Sequence, residues 1–467
     1  MKRTCQLSVA ASLLLVSIPL SAGWIHTYGG EYDDAGHWVE QTLDGGYIVA
    51  GRLMECDTGS YYLIKTDSLG DTLWTRTYVR TPSSMLEPEP PEARCVQQTS
   101  DGGYIIAGRS GLSLILIKTD EHGDSLWGRN LCVTYPNGEG ICVRETSDKG
   151  YLVSGGYSTF FLIKLDSAGD RVWSRYYRRL GKYMQLTHDD GCIITGVSDS
   201  SVWLMKTDSE GDSLWEHLYS LGEEGLATCY CVQQTSDGGY IITGEANRVQ
   251  SLPVASDLFI LKTDASGDSV WARLYGDEGR DIGYSIYQTP DDGYIVTGVK
   301  GLGPYTNKGV WLLKIDEQGD SAWARTFGSV GDVGACVQVT SDRGYIICGS
   351  TYSYAPMHRG ADVLLMKTDS LGEVGGVAEQ PIVEKPANWE VITSIGSQIV
   401  LRYQDRPDGF RASIFDASGR KVDEVHATES SGMITWGRCY GCYGPGVYFI
   451  VLKSAGAIKA QKVVLIR

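Results

Sequence analysis

From Trp24 to Gly372 the chain alternates short apolar runs with Gly- and Asp-rich breaks, and no apolar spacing of helical period is sustained. One stretch serves as the example. Cys95–Thr99, Gly103–Gly108, Leu114–Thr119 and Leu126–Leu131 each have the length and β-branched or aromatic content of a strand. Asp101-Gly102-Gly103 separates the first two, and Asp120 to Asp124 separates the last two. Both breaks suit hairpin turns, because Gly supplies positive φ and Asp caps nearby N–H groups. The pattern predicts four antiparallel strands.

That pattern recurs seven times. Half of the unit reads Thr-x-Asp-x-Gly-Tyr-x-x-x-Gly and the other half Lys-x-Asp-x-x-Gly-Asp-x-x-Trp-x-Arg, at a spacing of 41 to 57 residues. Repeated four-stranded units of this length predict a β-propeller. Seven Lys segments (Lys65, Lys118, Lys164, Lys206, Lys262, Lys314 and Lys367) are matched by only six following Trp residues, since Lys367 runs into Gly375-Gly376. The missing strand stands at the other end, where Trp24, His26, Tyr28 and Gly29 match Trp271, Arg273, Tyr275 and Gly276. The expected fold is therefore all-β: a seven-bladed propeller over 24–376, closed by an N-terminal strand through Trp24, His26 and Tyr28. The recurrent Lys and Arg or His are expected to lay their stems on aromatics and pair with acids between blades.

Residues 1–23 differ from the rest. Lys2 and Arg3 precede an apolar run from Leu7 to Leu20, and Ser21-Ala22-Gly23 follows, which reads as a secretory signal peptide. Net charge of −16 excludes a nucleic-acid partner and suits a secreted or surface-attached monomer. Cys95, Cys142, Cys231 and Cys336 each stand nine residues before the repeat Tyr, and this shared register reads as buried structural thiols. Cys439 and Cys442 form a C-x-x-C without a second pair at zinc spacing, so a local disulfide or free thiols is expected there.

The strings Gly238-Gly239-Tyr240 to Gly244 and Leu261-Lys262 to Trp271 resemble the repeats of a bacterial β-propeller family of exported proteins. That resemblance covers 24 to about 372 and implies a propeller scaffold with a surface or secreted location, and no common reaction. Residues 377–388 are a Pro-containing linker, after which alternating runs over 389–467 predict a small immunoglobulin-like β-sandwich. Asp416 to Arg420, Gly446-Val447-Tyr448-Phe449 and Lys462 to Arg467 resemble the C-terminal sorting domains of type IX secretion cargo, which implies contact with secretion machinery. The usual Pro-Asn-Pro start of such domains is replaced by Pro386-Ala387-Asn388.

A residue present in every unit is architecture, so a site is sought where the units differ. Thr-to-Gly and Lys-to-Trp spacings are fixed, whereas Tyr-to-Lys spacing runs from 13 to 22 and Trp-to-next-Tyr spacing from 19 to 30. In an up-and-down unit these two connections emerge at one face, which is the expected binding face. Its longer inserts carry the candidate ligand-binding residues Arg248, Tyr305, Lys308, Tyr352, Tyr354, His358 and Arg359. Asp34, Asp281 and Asp332 share a register; they suit capping of loop backbone, with Ca²⁺ ligation as the competing reading. No Ser/His/Asp or metal-ligand cluster emerges, and no cofactor is expected. The leading expectation is a binding module for an extracellular protein or glycan. A glycan-active or quinone-dependent propeller enzyme and a passive surface protein are the alternatives.

Overall fold

The computed structural model describes residues 23–467 except 57, 83–89, 112, 132–138, 157–158, 222–226, 248–255, 278, 303–308, 356–359, 375–388, 394, 397–398, 404–409, 417–419, 429–430, 437–445, 455–456 and 466–467. The described residues hold strands and turns and no helix. Two compact units divide the chain, Met1–Ala378 and Glu379–Arg467.

In the first unit each sequence repeat folds as an antiparallel meander. The second, for example, runs Glu92–Gln98, Tyr104–Ser110, Ser113–Thr119 and Ser125–Leu131. Five such four-stranded sheets form, and two further meanders join into one eight-stranded sheet through a single parallel bridge, Ser256 to Arg280. Burial follows position in the sheet. Second and third strands such as Tyr151–Gly156 and Phe160–Leu165 are buried on both faces, because neighbouring sheets cover them. Fourth strands such as Ser213–Tyr219 alternate exposed and half-buried residues, as an outer edge should. First strands pack side by side in order, and the last of them, Val333–Val339, packs beside the first, Ala35–Gln41. The unit is a β-propeller: sheets arranged radially around their first strands.

Trp24–Tyr28 supplies the outer strand of the last sheet. It pairs antiparallel with Asp362–Thr368 in the register Trp24 to Lys367, His26 to Leu365 and Tyr28 to Val363. The sheet so completed is built from both ends of the repeat array.

The repeat residues explain the joints. In the first hairpin, Asp44 accepts from Thr42 Oγ1, from Gly46 N at 3.0 Å and from Lys65 Nζ at 2.8 Å. Here the structure corrects the sequence reading. The repeat Lys pairs within its own sheet, as Lys118 does with Asp101 at 2.8 Å, Lys206 with Asp189 at 2.9 Å and Lys367 with Asp342 at 2.9 Å. The cause is register: Lys65 lies opposite Ile48, two residues from Gly46, so its ammonium passes over the glycine onto the turn. The Arg of the fourth strand does cross between sheets. Arg175 stacks on Trp173 at 5.3 Å and reaches Asp212 of the next sheet at 3.0 Å, and Arg325 stacks on Trp323 and meets Glu373 at 2.7 Å.

The described residues of the second unit form two sheets. One orders Trp389–Thr393, Ile399–Tyr403 and Gly432–Trp436; the other contains Ile395–Gly396, Ala457–Leu465, Gly446–Ser454, Phe410–Asp416 and Lys421–Ala427. Ile399, Leu401 and Trp436 of the first share a core with Ile414, Ile450 and Val463 of the second. Trp389–Thr393 and Lys421–Ala427 form strands although each mixes charges into its apolar positions.

Candidate functional site

The first strands surround the axis, and their equivalent positions differ from sheet to sheet. Nine residues before the repeat Tyr (Cys192 in the fourth unit) stand Trp38, Cys95, Cys142, Tyr183, Cys231, Ser285 and Cys336. Two residues further along stand Glu40, Gln97, Arg144, Gln185, Gln233, Tyr287 and Gln338. Just before the first set the register shifts by one residue, between Gly36 and Trp38, Ala93 and Cys95, Glu139 and Cys142, Gly181 and Tyr183, Cys229 and Cys231, Gly283 and Ser285, and Gly334 and Cys336. A bulge leaves its extra residue unpaired and turns its side chain out of the ladder. The extra residues include His37, Arg94, Lys182, Tyr230, Tyr284 and Ala335.

Midway along the axis the channel is filled. Trp38 and Tyr183 stack with centroids 5.9 Å apart, and the Arg144 guanidinium lies 4.6 Å over the Trp38 ring. Arg144 donates to Cys95 Sγ at 2.8 Å, to the Val143 carbonyl at 2.7 Å and to Tyr183 Oη at 3.2 Å. Cys95 Sγ and Cys142 Sγ are 3.6 Å apart. Burial works against a Cys95 thiolate, but the Cys142 hydrogen bond and the Arg144 charge outweigh it and bring the thiol down to about 6. Burial and the proximity of Cys95 drive Cys142 upward instead, so the two thiols share one proton loss. A cavity of about 140 Å³ adjoins this plug, lined by Glu40, Arg144, Gln185, Gln233, Tyr287 and Gln338 among others. Burial pushes the Glu40 carboxyl up to about 7 against the opposing pull of Arg144.

At the end where the variable connections emerge, Ala35 pairs with Arg52 and Glu92 with Arg109. This places His37, Arg52, Glu92, Arg94 and Arg109 together at the mouth. On other sheets of the same end, Glu245 accepts from Arg280, from Tyr230 Oη at 2.8 Å and from Ser256 Oγ at 2.9 Å. Tyr230 and Tyr284 meet edge to face at 5.1 Å.

Of the sequence candidates, Tyr352 and Tyr354 are described. Tyr352 is exposed and donates to Asp33 Oδ1 at 3.0 Å, while Tyr354 Oη accepts from Gly328 N at 3.0 Å. Arg248, Tyr305, Lys308, His358 and Arg359 lie outside the described residues. Asp34, Asp281 and Asp332 are buried on separate sheets and accept backbone N–H groups: Asp34 from Met54, Asp281 from Gly301 and Asp332 from Tyr352, each at 2.7 Å. Among the described residues, no group of three or more His, Cys, Asp or Glu is arranged to hold a metal ion. His37, Arg52, Arg94, Arg109 and Arg144 were not singled out from the sequence, although the cysteine register led to their neighbours. Scanning the positions one before and two after each cysteine equivalent would have found three of them.

No family model matches the chain, and no curated protein matches it. Among solved structures the chain is similar to a streptogramin B lyase, at 11% identity over 74% of this chain and 98% of that one, with a TM-score of 0.46. It is similar also to PorZ of Porphyromonas gingivalis, a surface component of that organism's type-IX secretion system, at 10% identity over 95% of this chain and 60% of that one (TM-score 0.43). BamB from Moraxella catarrhalis is a third, at 14% identity over 73% and 85% of the two chains (TM-score 0.37). The β-propeller assignment itself follows from the strand pairing.

Proposed function

We propose that this chain is an exported seven-bladed propeller, latched by Trp24–Tyr28, that binds an extracellular protein or glycan at the channel mouth on its variable-loop face. The supporting observation is where the repeats stop being alike. Turn, Lys and Trp positions are uniform around the ring, whereas the bulge positions at the mouth include His37, Arg94, Lys182, Tyr230 and Tyr284, with Ala335 in the last sheet. Packing alone gives no reason to fill five of these positions with His, cations and aromatics, of which Arg and the aromatics are types that recognition surfaces favour. Residues 389–467 are proposed to form an immunoglobulin-like sorting domain that addresses secretion machinery. The signal-like segment 1–23 supports a secreted or cell-surface location.

The test is an array of glycans and surface proteins probed with the mature chain and with Tyr284→Ala and Tyr352→Ala. Binding that either substitution weakens supports the reading; an array with no signal from folded protein rejects it.

A further inference from the structure

Two glutamines in the channel use only half of their amide. Gln233 Oε1 accepts from Gln288 N of the next meander at 2.8 Å, and Gln185 Oε1 accepts from Gln234 N at 2.6 Å. A backbone N–H must meet the oxygen, so these bonds fix which end of each amide is which. Each NH2 group therefore points away from the neighbouring strand, and both side chains line the cavity of about 140 Å³. Neither Nε2 donates a hydrogen bond among the described residues, although Gln233 is only 9% exposed. All the residues that line the cavity are among those described.

Glutamines one position further along their strands behave differently. Gln41 Oε1 accepts from Ser341 N at 2.8 Å while its Nε2 donates to the Gly45 carbonyl at 3.3 Å. Gln98 and Gln288 likewise use both ends. Those amides are structural joints. Gln185 and Gln233 make the same joint with one end and present two N–H donors each to the cavity. Glu40 forms another part of the wall: its Oε2 accepts from Gln98 N, which leaves Oε1 to the cavity, and burial raises the carboxyl to about 7. The Arg144 charge adjoins the same space but already meets Cys95 Sγ, so the amides and Glu40 decide what the cavity can hold.

We propose that this cavity binds a small free carboxylate, whose oxygens accept from the Gln185 and Gln233 amides and share one proton with Glu40. A carboxylate offers two oxygens and no donor, which suits a wall rich in N–H groups. Water occupies about 30 Å³ per molecule in the liquid, so the volume admits about four to six non-hydrogen atoms. The stacked Trp38 and Tyr183 separate this space from the mouth, so the site stands apart from the loop-face reading. Glu40 faces Arg144, Cys95 and Tyr287, and Tyr183, Cys231 and Cys336 line the same cavity. Protonated, Glu40 donates to the ligand; ionised, it repels it. Affinity is therefore greatest between about pH 5 and 7 and falls about tenfold per pH unit above that. The lowered thiols of Cys95 and Cys336 titrate in the same sense, and Glu40→Gln separates the two causes.

The experiment is calorimetric titration of the folded mature chain with acetate and lactate, with acetamide as the neutral isostere and citrate as the oversized acid. One-to-one binding of acetate or lactate, with acetamide and citrate silent, is the expected result. Gln233→Glu keeps the oxygen for Gln288 N and exchanges the donors for a charge, and should weaken binding at least about tenfold. Gln234→Glu places the same charge on the adjacent residue, whose Oε1 serves His188 N outside the cavity, and leaves binding in place. If Gln233→Glu does not fold, Gln185→Glu makes the same exchange. Glu40→Gln retains binding and abolishes its decline above about pH 7; a decline that persists in that variant overturns the shared proton. Folded wild-type protein that gives no heat with acetate or lactate near about pH 6, or equal heat with acetamide, overturns the site.

Discussion

Trp24 lies opposite Lys367 in one antiparallel ladder, so the first described strand and the last strand of the repeat array are a single structural element. Its strand is tied to the next sheet as well. Tyr28 Oη donates to the Gly70 carbonyl at 2.6 Å, the same bond Tyr275 makes to Gly319. Ser341 N also donates to Gln41 Oε1 at 2.8 Å, joining the last first-strand turn to the opening one. Deleting 24–28 removes a strand, a Trp and the Tyr28 bond together, and exposes Asp362–Thr368 as a bare edge. The expected outcome is a fall in melting temperature of about 5 °C or more, read by circular dichroism. An unchanged melting curve would show that the ladder carries no stability.

The outer turns let the contribution of inter-sheet contact be separated from backbone strain. Gly102 and Gly123 belong to the same repeat and both sit at positive φ, +87° and +78°. A Cβ at Gly102 meets nothing within 4 Å, whereas one at Gly123 falls 2.8 Å from Trp74 of the preceding sheet. Gly102→Ala is therefore expected to cost about 1 kcal/mol from backbone alone. Gly123→Ala adds displacement of the Trp74 ring and is expected to cost about 2–4 kcal/mol. Denaturant melts of the two variants measure the difference, and equal losses would show that the Trp74 packing yields freely.

Two sets of carboxylates pull the pH dependence of stability in opposite directions. Lys-paired turn aspartates are held low against burial: Asp189 to about 2, with Asp44, Asp101, Asp237 and Asp291 shifted the same way. Asp148 sits at about 2 through its Lys164 hydrogen bond. Their contribution is present above the unfolded value and is lost as pH falls toward about 2. Glu40 and Asp34 are raised by burial to about 7 and about 6. Their contribution is complete below the unfolded value and is lost as pH rises through the folded one. Melting temperature should therefore peak in mildly acidic buffer, near about pH 4–5. Glu40→Gln keeps an acceptor for Gln98 N, which Glu40 Oε2 now receives at 2.8 Å, and should flatten the decline between about pH 5 and 7. A slope identical to wild type would remove Glu40 from the explanation.

The repeat made the sheets legible in the sequence because turn glycines, paired apolar runs and the displaced Trp24 strand are all local signals. The mouth was less legible, because His37 and Arg94 are meaningful only through a bulge that turns them out of the ladder, and bulges leave no fixed residue signature. Glu92 is harder still. It follows Pro90 and Pro91 at the end of an acidic stretch and reads as one more surface charge, and only the fold brings Arg52 of the preceding sheet to it. The repeat Lys was misassigned for the opposite reason: its partner is close in the sheet, and a preference for inter-blade pairing obscured the register between Ile48 and Lys65.

The thiols give a last test of the channel. Cys95, Cys142, Cys192, Cys229, Cys231, Cys336 and Cys348 are buried and unbridged, while Cys56 is exposed. Alkylation needs both a thiolate and access, and the two are separated here. Cys95 and Cys336 both have lowered thiols, and Cys95 lies behind the stacked Trp38, Tyr183 and Arg144, so it should resist iodoacetamide in the native protein while Cys56 reacts. Tyr183→Ala opens the plug and removes one acceptor of Arg144, and should make Cys95 the fastest of the buried thiols to label as pH rises past about 6. Peptide mapping by mass spectrometry distinguishes the sites. Labelling of Cys95 in the wild-type chain at the rate of Cys56 would mean that the aromatic stack does not close the channel.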